Sequence, residues 1–250
     1  KRLVFDMDDV HSANPRYKDI VFKQTRAWDY LLSDNPFSTE RFQSCFRFEK
    51  EKILEYGYPA NDPMYAPDRE EQAAKIKEKL GIPKDKKVIL YAPTWRDDQF
   101  YEAGQYGFEL DLDVNRLQEE FGDEYVLSKY GDFTVDGSSY DDITDLYLIS
   151  DMLITDYSSV FFDYANLKRP VLYYTYDLDK YRDVLRGFYL DMEKDLPGPL
   201  LLTNDEVVDA IKNIDKIKEQ YKDRYEEFYN RFCCVDDGHA AQRVVEKVFK

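Results

Sequence analysis

The segment Asp151-Met-Leu-Ile-Thr-Asp-Tyr-Ser-Ser-Val-Phe-Phe-Asp163 constrains the fold of this chain more than any other. Met152 to Thr155 is a short, apolar, β-rich run that stops at Asp156 and Tyr157. Ser158 and Ser159 follow, and then a helical apolar face of Val160, Phe161, Tyr164, Ala165 and Leu167. A buried strand that ends in a polar turn and restarts as a helix is a building unit of a parallel sheet. The same alternation recurs along the chain. Lys87 to Ala92 and Pro170 to Thr175 read as further buried strands, and Tyr125 to Leu127 as a shorter one. Helices are expected over 68–80, closed by Gly81, and over 114–121, 142–149 and 158–168. Three more are expected over 204–214, 216–231 and 238–249, while 97–112 reads as acidic, aromatic and irregular.

The first sixty residues repeat the alternation on a smaller scale. A helix over 18–27 precedes a strand over 28–33. Ser38 reads as the N-cap of a helix running to about Phe46, and 53–56 as another strand. Gly57-Tyr-Pro-Ala-Asn-Asp-Pro63 then forms a turn and a hinge. Residues 1–67 are too few for a whole α/β domain and read as the remainder of one. Residues 68–235 form a doubly wound, Rossmann-like domain, and 236–250 a C-terminal helix that can cross back to the first. The opening Lys1-Arg-Leu-Val-Phe-Asp6 has no long apolar core after it, so it reads as the middle of a larger protein.

Charge and composition remove several function classes. The net charge of −16 disfavours nucleic acid as a partner, because phosphate backbones are held by basic surfaces. It equally disfavours simple adhesion to an anionic membrane. One local basic stretch stands out, Arg41, Arg47, Lys50 and Lys52, which reads either as a patch or as a solvated helix face. Cys45, Cys233 and Cys234 have no metal spacing and read as reduced thiols. With only His11 and His239, a histidine-rich metal site is excluded; Asp6, Asp8 and Asp9 lack matching ligands. No glycine-rich phosphate loop appears, which argues against ATP hydrolysis and nicotinamide cofactors, and no Gly-x-Ser-x-Gly elbow marks a serine hydrolase. No cofactor and no metal are expected.

In open parallel sheets, ligands bind beyond the carboxyl ends of the strands. Three such ends carry polar residues. Pro93-Thr94-Trp95-Arg96 follows strand 87–92, and a hydroxyl with a guanidinium suits a diphosphate. Arg96 can instead pair with Asp97 or Asp98. Ser158 and Ser159 open a helix, where free backbone N–H groups and two hydroxyls make a seat for phosphate. Ordinary capping by Ser158 is the other reading of the same residues. Asp163 lies about one helical turn further in, within reach of a sugar hydroxyl. Ser138-Ser-Tyr-Asp-Asp-Ile143 opens a third helix and offers either base and ribose contacts, through Tyr140, or a plain cap. Tyr58, Tyr101 and Tyr106 are candidates to line an acceptor groove.

As an ordered set, these motifs resemble the CDP-glycerol glycerophosphotransferase family, the teichoic acid polymerases. The matching segments are Asn35-Pro-Phe-Ser-Thr-Glu40, Gly57-Tyr-Pro-Ala-Asn-Asp62, Tyr91-Ala-Pro-Thr-Trp-Arg96, Ser139-Tyr-Asp-Asp-Ile143, Ile154-Thr-Asp-Tyr-Ser-Ser159, Phe162-Asp-Tyr-Ala165 and Arg186-Gly-Phe-Tyr189. The resemblance implies a GT-B fold with a nucleotide-diphosphate alcohol held between two Rossmann-like halves. It implies a donor site of Pro93, Thr94, Arg96, Ser158, Ser159 and Asp163, with Asn61, Asp62, Tyr140 and Asp156 as further candidates. It also implies glycerol phosphate transfer from CDP-glycerol to a lipid-linked poly(glycerol phosphate) or its primer, releasing CMP, at the inner face of the cell membrane by peripheral contact. A CDP-ribitol or nucleotide-sugar donor, or a catalytically incomplete nucleotide-binding module, are the alternatives.

Three departures accompany the resemblance. The family carries Trp-His-Gly-Thr-Pro-Leu before the Lys-Arg with which this chain opens, and that histidine is the expected base. A second family histidine, after the strand ending at Leu127, has no counterpart in Val126-Leu-Ser-Lys-Tyr-Gly131. Ala60 stands where the family has arginine.

Overall fold

The computed structural model describes residues 2–7, 16–94, 100–102, 105–106, 111–128, 141–182 and 187–250, with the backbone alone for 100–102, 105–106 and 128. The elements run α1 (Tyr17–Thr25), β1 (Leu31–Ser33), α2 (Pro36–Cys45), β2 (Ile53–Glu55), α3 (Arg69–Lys79), β3 (Lys87–Ala92), β4 (Phe100–Glu102), β5 (Gln105–Tyr106), α4 (Val114–Phe121) and β6 (Tyr125–Ser128). They continue α5 (Ile143–Ile149), β7 (Met152–Thr155), α6 (Val160–Tyr164), β8 (Val171–Tyr174), α7 (Leu178–Lys180), α8 (Met192–Asp195), β9 (Leu200–Leu201), α9 (Asn204–Lys212), α10 (Ile214–Phe232) and α11 (Ala240–Phe249).

Five strands form one parallel sheet in the order β6-β3-β7-β8-β9. Counted along the chain, that order is 2-1-3-4-5, a doubly wound topology that reverses direction between β3 and β7. The register across the reversal pairs Ile89 with Met152 and Ala92 with Thr155. The central strands β3, β7 and β8 are buried on both faces, as expected inside an all-parallel sheet. Val88, Leu90, Leu153 and Tyr173 enter one core with α3, α5, α6 and α10. Ile89, Tyr91, Ile154 and Leu172 enter the other with α4 and α9. Full burial of one such side chain contributes about 1.5–3 kcal/mol.

The first part carries its own two-stranded parallel sheet of β1 and β2, in which Leu32 pairs with Leu54. Here the helix start differs from the sequence reading. Asn35, not Ser38, is the N-cap of α2; its side chain accepts from the Ser38 N–H at 2.7 Å, and Pro36 follows at N1. Proline fits that first position because its missing N–H would have no partner there anyway. The Asn35 side-chain amide also donates to the Phe232 carbonyl at 2.9 Å, which ties the first part to the end of α10.

Other boundaries shift too. The expected helix over 158–168 is a short α6 from Val160, continued by a 3-10 turn over Ala165–Leu167. The stretch read as irregular contains the antiparallel pair β4 and β5. The turn after β2 is a 3-10 helix over Pro59–Tyr65, entered through Gly57 at φ +83°. The Arg243 guanidinium of α11 donates to the Tyr56 carbonyl at 3.0 Å, so the last helix lies against the first part. No helix among the described residues is long and apolar enough to cross a membrane.

Candidate functional site

The topological reversal between β3 and β7 opens a crevice at their carboxyl ends, where a doubly wound sheet holds its ligand. The two strand tips are pinned together. The Thr155 hydroxyl donates to the Ala92 carbonyl at 2.6 Å. The Thr94 N–H donates to both oxygens of Asp156, at 2.9 and 3.1 Å, and the Tyr157 N–H reaches the same carboxylate at 2.5 Å. Asp156 is therefore a clamp that fixes where Pro93 and Thr94 sit relative to the β7 turn. Tyr157 is held in turn: its hydroxyl donates to Asp177 at 2.9 Å and its ring stacks on Tyr181 at 3.9 Å.

Beyond this clamp lie the two serines. Ser158 is half-buried and Ser159 exposed. The N-cap position of α6 is Ser159, yet its side chain makes no capping hydrogen bond. The capping role proposed for Ser158 is thus not realised, because the chain turns helical one residue later than the sequence suggested. Arg96 and Tyr140, and likewise His11, lie outside the described residues.

The crevice continues into a cavity of about 270 Å³. Its walls come from both parts of the chain. Asp34 follows the end of β1 and Tyr58 follows β2; Ser159, Phe161 and Asp163 face them from α6 and its approach. The carboxyl ends of the two sheets thus converge on one space. Burial, reinforced by the charge of Asp34, pushes the Asp163 carboxyl up to about 7. Burial likewise pushes Asp34 up to about 6, although the Ser38 hydroxyl bonds it. The Tyr58 phenol is pushed well above its ordinary value by the same desolvation, with the three carboxylates Asp34, Asp163 and Asp236 adding to it.

Beneath the cavity is a polar hub. The Asn61 amide donates to Asp236 at 2.7 Å and stands 3.5 Å from Asp163; the Asn166 amide donates to Asp236 at 3.2 Å. The Tyr58 N–H donates to the other Asp236 oxygen at 3.0 Å. Asp62 points away from the cavity and accepts the Ala240 and Ala241 N–H groups, both at 2.9 Å. It caps α11 from a distant part of the chain. Of the further candidates, then, Asn61 belongs to the hub and reaches the cavity-lining Asp163 at 3.5 Å, while Asp62 and Asp156 hold backbone in place. Asp236 and Asp34 were not singled out from the sequence. Nothing local marks either one, since Asp34 is a lone carboxylate in a turn and Asp236 one of the adjacent pair Asp236-Asp237.

Comparison with known proteins decides the family. The model for "CDP-Glycerol:Poly(glycerophosphate) glycerophosphotransferase" matches residues 1–250. This chain belongs to that family. Among glycerophosphotransferase relatives, it is 48% identical to the teichoic acid poly(glycerol phosphate) polymerase of Bacillus subtilis (strain 168), over all of this chain and 36% of that protein. It is 44% identical to the teichoic acid glycerol-phosphate transferase of Staphylococcus aureus (strain NCTC 8325 / PS 47), over all of this chain and 68% of that protein. The solved structure of the wall teichoic acid polymerase TagF superposes with a TM-score of 0.89 at 45% identity, over 99% of this chain and 64% of that one. The fold is accordingly α/β of the GT-B type. The chain spans about a third of the Bacillus relative's length, and the match there runs over 267 residues, so the matching stretch holds residues with no counterpart in these 250.

Proposed function

We propose that this glycerophosphotransferase-family chain binds CDP-glycerol at the β3/β7 reversal and serves the transfer of glycerol phosphate to the terminal hydroxyl of a lipid-linked poly(glycerol phosphate) or its primer. The observation that carries the reading is the pinning of the β3 tip to the β7 turn: Asp156 accepts from the Thr94 and Tyr157 N–H groups, and Ser159, two residues further on, lines the adjoining cavity. Pro93 and Thr94 with Ser158 and Ser159 hold the diphosphate, joined by Arg96. Asp163 accepts a hydroxyl of the glycerol moiety. The acceptor hydroxyl attacks the phosphorus that carries glycerol; a new P–O bond forms, the P–O bond to CMP breaks, and CMP leaves with the electron pair. The acceptor's proton passes to a general base. The family histidine expected in that role precedes Lys1, so the groups in hand supply positioning and charge stabilisation rather than the base.

In the same reading, residues 68–235 form the donor half, 1–67 belong to the acceptor-side half, and 236–250 join them. Work on a lipid-linked acceptor implies peripheral contact with the cytoplasmic face of the membrane. The relatives favour glycerol over ribitol: the identity is 48% to the glycerol phosphate polymerase and 36% to a poly(ribitol-phosphate) polymerase of Bacillus spizizenii.

Two measurements test the reading. Full-length protein supplied with CDP-glycerol and a lipid-linked acceptor releases CMP; absence of release refutes it. In calorimetry, Ser158→Ala combined with Ser159→Ala weakens CDP-glycerol binding by about 1–3 kcal/mol, the scale of hydrogen bonds to charged groups. Unchanged affinity removes the diphosphate assignment.

A further inference from the structure

Two side chains that line the cavity each carry a buried polar atom with no hydrogen-bond partner among the described residues: Asp34 Oδ1 and Arg41 Nε. They are of opposite kind. An ionised carboxylate oxygen only accepts, and a guanidinium N–H only donates. Asp34 is 6% exposed, so water does not satisfy it from outside. The Ser38 side chain and the backbone N–H of Asp34 itself both favour its charged form. Arg41 is committed at its far end, where Nη2 meets Glu40 at 2.8 Å, and its guanidinium lies 5.3 Å from the Phe37 ring centre and 5.6 Å from that of Tyr189. These contacts hold the group at the cavity wall and leave Nε open. A buried polar atom left unsatisfied costs about 1–3 kcal/mol. Two in one cavity call for a ligand that satisfies both.

That ligand must present a hydroxyl to Asp34 and an anionic oxygen to Arg41. We propose that Asp34 and Arg41, with Asp163 opposite, form a polyol-phosphate subsite: Asp34 accepts from a glycerol hydroxyl and Arg41 Nε donates to a phosphate oxygen. The assignment rests on the CDP-glycerol reading above and adds two residues from the first part of the chain to it. The cavity, at about 270 Å³, is below the range that takes a drug-sized ligand and suits a fragment such as one glycerol phosphate unit. Charge orients the unit. Asp34 and Asp163 repel a phosphate placed between them, so the hydroxyl end faces the carboxylates and the phosphate faces Arg41 and Ser159.

The same chemistry comes from two sources, the glycerol phosphate of the donor and the terminal unit of the acceptor. Binding to the full chain separates them, with CDP-glycerol, CMP and sn-glycerol 3-phosphate as probes and Asp34→Asn and Arg41→Gln as variants. Both substitutions are close in shape, and unchanged CMP affinity with an unchanged thermal midpoint shows that the fold and nucleotide seat persist. If the donor fills the subsite, each variant loses tenfold or more in CDP-glycerol affinity and none in CMP affinity. If the acceptor fills it, CDP-glycerol affinity holds and that for sn-glycerol 3-phosphate on CMP-loaded protein falls tenfold or more. Either result supports the subsite. Wild-type affinity of both variants for both glycerol-bearing probes overturns it. Failure of the wild-type chain to bind CMP or CDP-glycerol would instead overturn the donor reading, and sn-glycerol 3-phosphate binding would still report on Asp34 and Arg41.

Discussion

Asp236 and Asp34 are carboxylates of nearly equal burial, 7% and 6% exposed, and the two regions around them are built to opposite ends. Asp236 sits in the hub below the cavity, and both of its oxygens are bonded: one by the Tyr58 N–H, the other by the Asn61 and Asn166 amides. These donors come from the 3-10 turn after β2 and from the turn after α6, so the hub joins the two parts of the chain. Asp34 sits in the cavity wall with its Oδ1 buried and without a partner among the described residues. Burial raises the affinity of both carboxyls for protons, but at Asp236 the three hydrogen bonds oppose that rise. A fully satisfied buried charge fixes structure, while a partly satisfied one stores a cost that a ligand can relieve. The difference teaches that burial alone does not separate a structural carboxylate from a binding one; the census of partners does.

The sharpest way to break this comparison is Asp236→Ala. It strands the Tyr58 N–H and two side-chain amides in a buried site, and the expected loss is about 3–5 kcal/mol in urea unfolding. A loss below 1 kcal/mol would show that the hub does not hold the two parts together. Next in size is a pH effect. The Asp34 and Asp163 carboxyls are pushed up to about 6 and about 7, against about 4 in an unfolded chain. Folded groups that hold their protons more tightly stabilise fully below pH ~4, and that contribution is lost as pH rises through the folded values. Between pH 5 and 8, stability should fall by about 2–4 kcal/mol, with a clearly shallower fall in Asp163→Asn. Stability that stays flat or rises over this range contradicts the buried-carboxylate account.

Asp62→Ala removes the remote cap of α11 and should cost about 1–2 kcal/mol. Hydrogen exchange should locate the loss in the first turn of that helix; protection there unchanged from wild type would show that Asp62 is not its cap. The smallest stability effect belongs to Ser158→Ala with Ser159→Ala. Since the Ser159 side chain caps nothing, thermal unfolding should shift by less than about 0.5 kcal/mol. A larger loss would mean that these serines serve the fold, as Asp236 does, rather than a ligand.

Much of this architecture was legible in the residues. The strands β3, β7 and β8 announce themselves as continuous apolar runs, α4 and α9 as amphipathic stretches opened by the capping side chains Asp113 and Thr203, and α10 as a long amphipathic stretch. The misses have specific causes. β9 is two residues long, Leu200–Leu201, and follows Pro197-Gly-Pro199, so no periodicity exists to detect. Ser38 concealed the Asn35 cap because both residue types cap well and the two stand three apart. Ser158 and Thr94 stand out as candidates because a strand tip with hydroxyls is a local pattern. Asp34 and Asp236 were not, because their neighbours lie far away along the chain.

The sequence by itself determined the class: parallel α/β, and a family recognised through ordered motifs. Local periodicity and turn chemistry suffice for that, since each strand, cap and strand end is written in a few consecutive residues. The order of the strands, and with it the position of the crevice, came only from the tertiary structure. Strands that are apolar on both faces carry no mark of which neighbour they pair with. The meeting of Asp34 with Asp163, and of Asp62 with the start of α11, depends on how the two parts dock. Such contacts join residues more than a hundred positions apart, and their energy lies in burial and shared hydrogen bonds that no local pattern records.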